Sequence, residues 1–377
     1  MWSVIGHAPA LAALERALAG GGPAHAWVFS GPAGVGKRTA ALEFAAALNC
    51  TGPAEIDGTE PADGAEASSL RAWSRPCGAC RSCRDTLAGR HPDVEYIAPG
   101  GMCDESEHKD HAESRDLRIC QVRRLERVLS LSPYAGERRV AIVDAADTLR
   151  TEAANAFLKT LEEPPAGSVI ILLVEREERL PETVMSRCQR IAFRPLDRET
   201  VVEALRARGA EAEQAEAIAS AAGGRIGWAL QALEDPSLLQ ERAAMLDEAV
   251  RLAHAGRFER FAWAKEAETR GASRERFLRE LDVWEEWWRD VLLVGAAADA
   301  LRPFDEAQGG KPLGERLINR DREPQLREEG RLYSAPEVVA FLRSLLKTRE
   351  HLQENVDPQL ALENLTLDLP TAGRPAR

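Results

Sequence analysis

Long apolar runs are missing from this 377-residue sequence. No stretch of about eighteen apolar residues occurs, so a membrane span is not expected. The opening Met1-Trp2-Ser3-Val4-Ile5-Gly6-His7 lacks the basic start and apolar stretch of a secretory leader, so the expected setting is the cytoplasm. An excess of positive charge is missing as well: 49 Lys and Arg face 61 Asp and Glu, a net charge of −12. That balance argues against a chain that grips nucleic acid or an anionic membrane through its overall field, although it leaves room for a local basic surface. Cysteines number only seven, and in a reducing compartment they point to metal binding or packing, with disulfides not expected. Apolar residues, at 44%, are plentiful. The length suits two or three domains with ample core.

Along the chain, residues 8–20 carry apolar positions at helical spacing, and His25 to Ser30 reads as a short buried strand. The glycine loop Gly31-Pro32-Ala33-Gly34-Val35-Gly36-Lys37 follows, then an apolar helix to Asn49. Residues 51–76 read as a surface insertion and 99–116 as a polar loop holding Cys103, His108 and His111. A helix through Ser130, a strand at 139–144 and a helix at 151–163 stopped by Pro164-Pro165 come next. The run Val169 to Val174 is of the kind buried on both faces of a parallel sheet. A short strand at 191–193 ends the alternation. The expected fold is therefore an α/β nucleotide-binding core with helices on both faces of a parallel sheet. No strand is expected beyond Pro195: residues 198–233 read as a small helical bundle broken at Gly223-Gly224, and 236–365 as helical with a break around 303–324. Trp284, Trp287 and Trp288 share one helix face, as core or as a partner surface. Residues 370–377 read as a frayed tail.

Four motifs carry chemistry. Gly31, Gly34, Gly36 and Lys37 form a phosphate-binding loop, in which backbone N–H groups and a lysine attract phosphate. The hydroxyl that should follow Lys37 and hold magnesium is replaced by Arg38, and it arrives one step late at Thr39. One step turns a helical side chain by roughly 100°, so Thr39 is no simple substitute and ordered magnesium placement is not expected. A glycine turn that merely packs a helix is the plainer alternative. Second, Asp144 ends a strand where phosphoryl-transfer NTPases keep a magnesium-assisting acid. Ala145 occupies the next position, where many such ATPases carry a glutamate that polarises water, and alanine can accept no proton. Third, Cys77, Cys80 and Cys83 at spacing three, with Cys50 as fourth thiol, suit a closed tetrahedral zinc site of structural role; Cys103 is the substitute fourth ligand. Fourth, Arg187 in Ser186-Arg187-Cys188 is either an ordinary surface arginine or, in an oligomeric ATPase, a finger reaching a neighbour's γ-phosphate.

Taken in this order, His25-Ala26, the loop from Gly31 to Thr39, the four cysteines, the stretch Ala154 to Glu163-Pro164-Pro165 and Ser186-Arg187-Cys188 resemble the bacterial DNA polymerase III clamp-loader subunits, most closely the delta-prime branch. The likeness runs through roughly residues 1 to 240. It implies an AAA+ core over 1–194 with an inserted four-cysteine zinc module at about 50–84, a helical lid over 195–238 and a helical collar over 239–377. It further implies a five-subunit ring with gamma or tau ATPase subunits and a delta subunit, which loads a sliding clamp on primed DNA as part of the DNA polymerase III holoenzyme. Delta-prime members of that family have a degraded nucleotide site, serve as a platform and lend the arginine of Ser-Arg-Cys to an adjacent ATP site; the matching residue here is Arg187. In the lid, active members carry an arginine where this sequence has Gly227. With Arg38 and Ala145, that makes three catalytic supports absent, and intrinsic ATPase activity is not expected.

The insertion between Cys50 and Cys77 and the loop at 99–116 both look longer than is usual for the family. Two other readings compete: an active gamma/tau-type ATPase, and a zinc-dependent nucleic-acid-binding protein using Arg71, Trp73, Arg75, Arg81 and Arg84.

Overall fold

The central strands are continuously apolar apart from a terminal Ser30, Arg139 or Ser168, a pattern suited to a sheet covered on both faces. A computed structural model describes residues 2–20, 22–52, 76–103, 114–269, 274–299, 313–353 and 356–371. Its sheet contains β1 (Ala26–Ser30), β2 (Val94–Ile97), β3 (Arg139–Val143), β4 (Ser168–Val174) and β5 (Gln189–Ala192), all parallel, in the order β2-β3-β4-β1-β5. Every residue of β1 and β4 is buried. Trp27 pairs in register with Ile171, and Ile171 with Ile142.

Alternation along the strands sorts the core into two layers. Trp27, Phe29, Ile142 and Ile171 pack with Leu14 of α1 (Ala8–Ala19) and Phe44 of α2 (Lys37–Leu48). Val28, Ala141, Ile170 and Leu172 pack with Leu125 of α4 (Ile119–Ser130) and Phe157 of α5 (Thr151–Glu162). Two shorter helices, α3 (Arg81–Leu87) and α6 (Glu182–Met185), complete this part. Strand β2 has no counterpart among the strands expected from sequence. It is a four-residue edge strand whose Glu95 and Tyr96 interrupt any apolar run, so neither period nor continuity marks it.

The described residues divide into two compact units, Met1–Thr200 with Gly224–Trp228, and Val201–Gly223 with Ala229–Arg377. The remaining helices are α7 (Arg198–Arg206), α8 (Ala212–Ala222), α9 (Ile226–Glu234), α10 (Ser237–His254), α11 (Arg257–Thr269), α12 (Arg274–Asp299), α13 (Leu313–Arg316), α14 (Glu323–Glu329), α15 (Ala335–Gln353) and α16 (Pro358–Leu367). In the second unit Trp284, Trp287 and Trp288 of α12 are fully buried, so the tryptophan face is core. Trp263 stacks on Trp284 at 5.2 Å, and Trp288 meets Tyr333 and Phe341 edge-on, the arrangement the ring quadrupole favours. Buried Arg260 donates to the carbonyls of Leu252, Ala253, Thr366, Leu369 and Pro370. Pro370, expected to open the frayed tail, is therefore held; residues 372–377 lie outside the described set. Among the described residues no helix is long and apolar enough to cross a membrane.

One buried carboxylate organises the loop between α4 and β3. Asp93 accepts the backbone N–H groups of Tyr134, Ala135 and Gly136, each at 2.7 Å, and pairs with Arg139 at 3.4 Å. Burial alone would raise its pKa, but these donors and the guanidinium hold it below the usual carboxylate value. Its stabilising contribution is thus present above about pH 4 and lost as pH falls through the depressed folded value. Asp93→Ala should cost about 2–4 kcal/mol at pH 7. The gap to the wild type in urea unfolding should narrow below about pH 4; a gap independent of pH would refute this role.

Candidate functional sites

The glycine loop leaves β1 and enters α2, as a phosphate-binding turn must. Gly31 has φ 144° and lies so close to β5 that a Cβ there would sit 2.0 Å from the Phe193 carbonyl oxygen, so no other residue fits. Lys37, only 8% exposed, folds back and donates to the carbonyls of Gly31 and Pro32. Burial lowers its pKa, partly offset by Glu175, Asp144 and Asp147. The start of α9 meets the loop directly: the Gly227 N–H donates to the Gly34 carbonyl at 2.6 Å. A Cβ at 227 would approach that oxygen to 2.9 Å, so this backbone contact uses the absence of a side chain. From the N-terminal segment, a His7 ring nitrogen lies 2.8 Å from the Val35 carbonyl, and buried Glu43 accepts the Ser3 N–H.

The place where phosphate-loop NTPases hold magnesium is spanned here by protein contacts. Arg38 lies over the Tyr96 ring, 4.6 Å from its centroid, a cation–π geometry. The Tyr96 hydroxyl donates a short hydrogen bond to one oxygen of Asp144, whose other oxygen accepts the Ala145 N–H at 3.0 Å. Thr39 is exposed, one position beyond the arginine that takes the expected place of the hydroxyl. Ala145 is left-handed at φ 50°, and its carbonyl accepts the Thr148 hydroxyl at 2.7 Å. Asp147 accepts the Glu175 N–H, and burial raises its pKa. A magnesium ion needs a hydroxyl beside the loop lysine and an accessible carboxylate; here a guanidinium and a phenol-capped carboxylate stand instead, so these residues do not fit the ion.

The cysteines do converge. The Sγ atoms of Cys50, Cys77, Cys80 and Cys83 lie within 4.8 Å of one another. Cys50 follows the last turn of α2, Cys80 caps α3 by accepting the Cys83 N–H, and the Cys83 thiol points back to the Ala46 carbonyl. Cys77 and Cys83 are 3.8 Å apart, and Zn–S bonds of about 2.3 Å give a tetrahedral edge of about 3.8 Å. All four are free thiols. The hydrogen bond with Cys83 lowers the Cys50 pKa and, together with burial, raises that of Cys83. The donor set therefore fits a tetrahedral metal ion. Cys50 completes the quartet, and Cys103 does not belong to it.

Arg187 follows α6, and three acceptors hold it. Its Nη1 donates to the Thr183 carbonyl at 2.7 Å and the Ser186 hydroxyl at 3.3 Å, while Nη2 pairs with Glu162. The side chain is about one-third exposed, at 34%. Burial pushes the neighbouring Cys188 thiol up to about 12.

Sequence reasoning missed Tyr96 and Glu162 as site residues. Tyr96 could have been found only by recognising β2, whose register brings it beside the end of β3. Glu162 was in view, but as part of a motif without a partner. Arg71, Trp73, Arg75, His108 and His111 lie outside the described residues.

Residues 6–197, just over half the chain, match a family model described as DNA polymerase III, delta subunit. The chain is 29% identical to the DNA polymerase III subunit delta′ of Bacillus subtilis over 48% of its own length and 45% of that protein. It is 36% identical to the delta′ subunit of Pseudomonas aeruginosa over 44% of itself and 42% of that protein. The Bacillus subtilis subunit tau is 32% identical over 61% of this chain and 36% of tau. The matches thus span less than half the length of these relatives, and they include both delta′ and tau. With its parallel five-stranded core and helical C-terminal part, the chain belongs to the DNA polymerase III clamp-loader family of AAA+ proteins.

Proposed function

We propose that this chain is a delta-prime-type clamp-loader subunit, a platform that does not hydrolyse ATP itself. The observation that supports it is the linked set Arg38, Tyr96 and Asp144: the carboxylate a magnesium ion would need is hydrogen-bonded to a phenol. Ala145 removes the water-polarising group and Gly227 the lid arginine. The loop of Gly31, Gly34, Gly36, Lys37 and Thr39 persists as a degraded nucleotide loop that fastens α2 to the sheet. An active gamma/tau-type ATPase is the competing reading, since relatives named tau also match, but it would require these three positions to be rescued.

On this reading residues 1–194 are the AAA+ core, 195–238 the lid and 239–377 a collar that joins the chain to gamma/tau and delta subunits in a five-subunit ring. The ring acts on a sliding clamp and primed DNA. Arg187 is the residue of this chain that takes part in chemistry: its guanidinium stabilises charge on the γ-phosphate held by the adjacent ATPase subunit. Cys50, Cys77, Cys80 and Cys83 hold a structural zinc ion, which fastens α3 to the end of α2.

Arg187→Ala should fold as the wild type does, since the side chain is partly exposed and makes one exposed ion pair besides its local bonds. In the reconstituted complex it should lower DNA-stimulated ATP turnover by at least about tenfold; unchanged turnover would remove Arg187 from the site. Metal analysis of the purified chain should find about one zinc per molecule, lost in Cys80→Ser with a fall in stability. A metal-free wild type of full stability would sink the zinc assignment.

A further inference from the structure

The C-terminal end of α5 is fixed from two directions. A His25 ring nitrogen lies 3.0 Å from the Leu161 carbonyl, which ties that end to the residue before β1, and the Thr160 hydroxyl donates to Glu126 at 3.0 Å. Pro164 and Pro165 follow and prevent the helix from continuing. Glu162 therefore projects from a fixed base, half-exposed at 52%, and its carboxylate meets Arg187. The two residues are 25 apart in sequence and sit on separate elements, so no local helical pairing brings them together.

A guanidinium has five N–H donors in a fixed plane. Here Thr183 and Ser186 engage Nη1, and Glu162 engages Nη2. Three contacts on two of its nitrogens fix the plane of the group. Nε and the second Nη2 donor bond to none of the described residues, so a further anion can be taken without dismantling the existing bonds. An isolated surface ion pair of this exposure contributes little to stability, about 0–1 kcal/mol. Orientation is a different matter, because a charged donor that must meet a phosphate is effective only when held near the productive geometry.

We propose that Glu162 is a positioning residue for Arg187: it aims the guanidinium so that its unused donors face an anion presented by a neighbouring subunit. The inference rests on the reading of Arg187 as an arginine acting in trans. It assigns a function to Glu162, which core packing leaves unexplained. Glu162 touches no phosphate itself; it acts through Arg187, and its carboxylate need only accept one N–H.

The test compares Glu162→Ala, Glu162→Gln and Arg187→Ala in the reconstituted complex, with ATP titrated in the presence of primed DNA. Glu162→Ala should lower kcat about 3- to 10-fold while KM for ATP stays within about twofold, because orientation is lost and nucleotide binding is not. Glu162→Gln, whose carbonyl oxygen still accepts from Nη2, should recover to within about twofold of wild type. Adding Glu162→Ala to Arg187→Ala should cause no further loss. If Arg187→Ala lowers kcat and Glu162→Ala does not, the positioning role is refuted and the arginine reading survives. A rise in kcat or a fall in KM in Glu162→Ala would mean that the carboxylate competes with phosphate, and would also refute it. If Arg187→Ala itself has no effect, the underlying reading fails.

Discussion

A hydrogen bond from a tyrosine to a strand-end carboxylate governs what the core of this protein can do. Tyr96 reaches Asp144 because β2 and β3 are parallel neighbours in register, and Arg38 covers the same ring from the first turn of α2. A carboxylate at that place in an NTPase binds magnesium; here one oxygen is bonded to a phenol and the other to the next backbone N–H. The lysine of the loop has turned onto the loop's own carbonyls, and a backbone N–H from the start of α9 fills the acceptor at Gly34. Two of these contacts engage groups that a nucleotide and its metal would otherwise use, the Lys37 ammonium and the Asp144 carboxylate. The loop's architecture survives because Gly31 is needed for close packing against β5, whatever the loop binds.

Two other sites hang on the same framework. The cysteine quartet is built at the far end of α2 from the glycine loop, so one helix joins the loop to the quartet. The arginine site belongs to the opposite face of the sheet, where α5 and α6 pack. On the proposed platform reading, this separation of the glycine loop from the part-exposed Arg187 lets the arginine act without turnover in its own loop.

Much of this could be read from residue order. Continuous apolar runs marked β1, β3 and β4 because those strands are buried on both faces, and the C-x-x-C spacing marked the thiol cluster because the turn geometry is local. The three tryptophans of α12 were readable as one face, and burial decided that the face is core. What escaped notice depends on tertiary pairing. β2 is short and broken by Glu95 and Tyr96, so the residue that caps Asp144 carried no periodic signal. Glu162 and Arg187 are joined only by the way α5 and α6 pack, which no spacing rule encodes. The choice of Cys50 over Cys103 likewise needed the geometry of the end of α2.

The most direct test of the account is calorimetric titration of ATP into the purified chain, with and without magnesium. Binding alone needs no neighbouring arginine, so the single chain suffices. With Asp144 engaged by Tyr96 and no hydroxyl after Lys37, ATP should bind weakly or not at all, and magnesium should change its affinity less than about twofold. Tight binding that strengthens about tenfold or more with magnesium would mean that Thr39 or another group completes the site. The self-occupied metal position, and the platform reading built on it, would then be wrong.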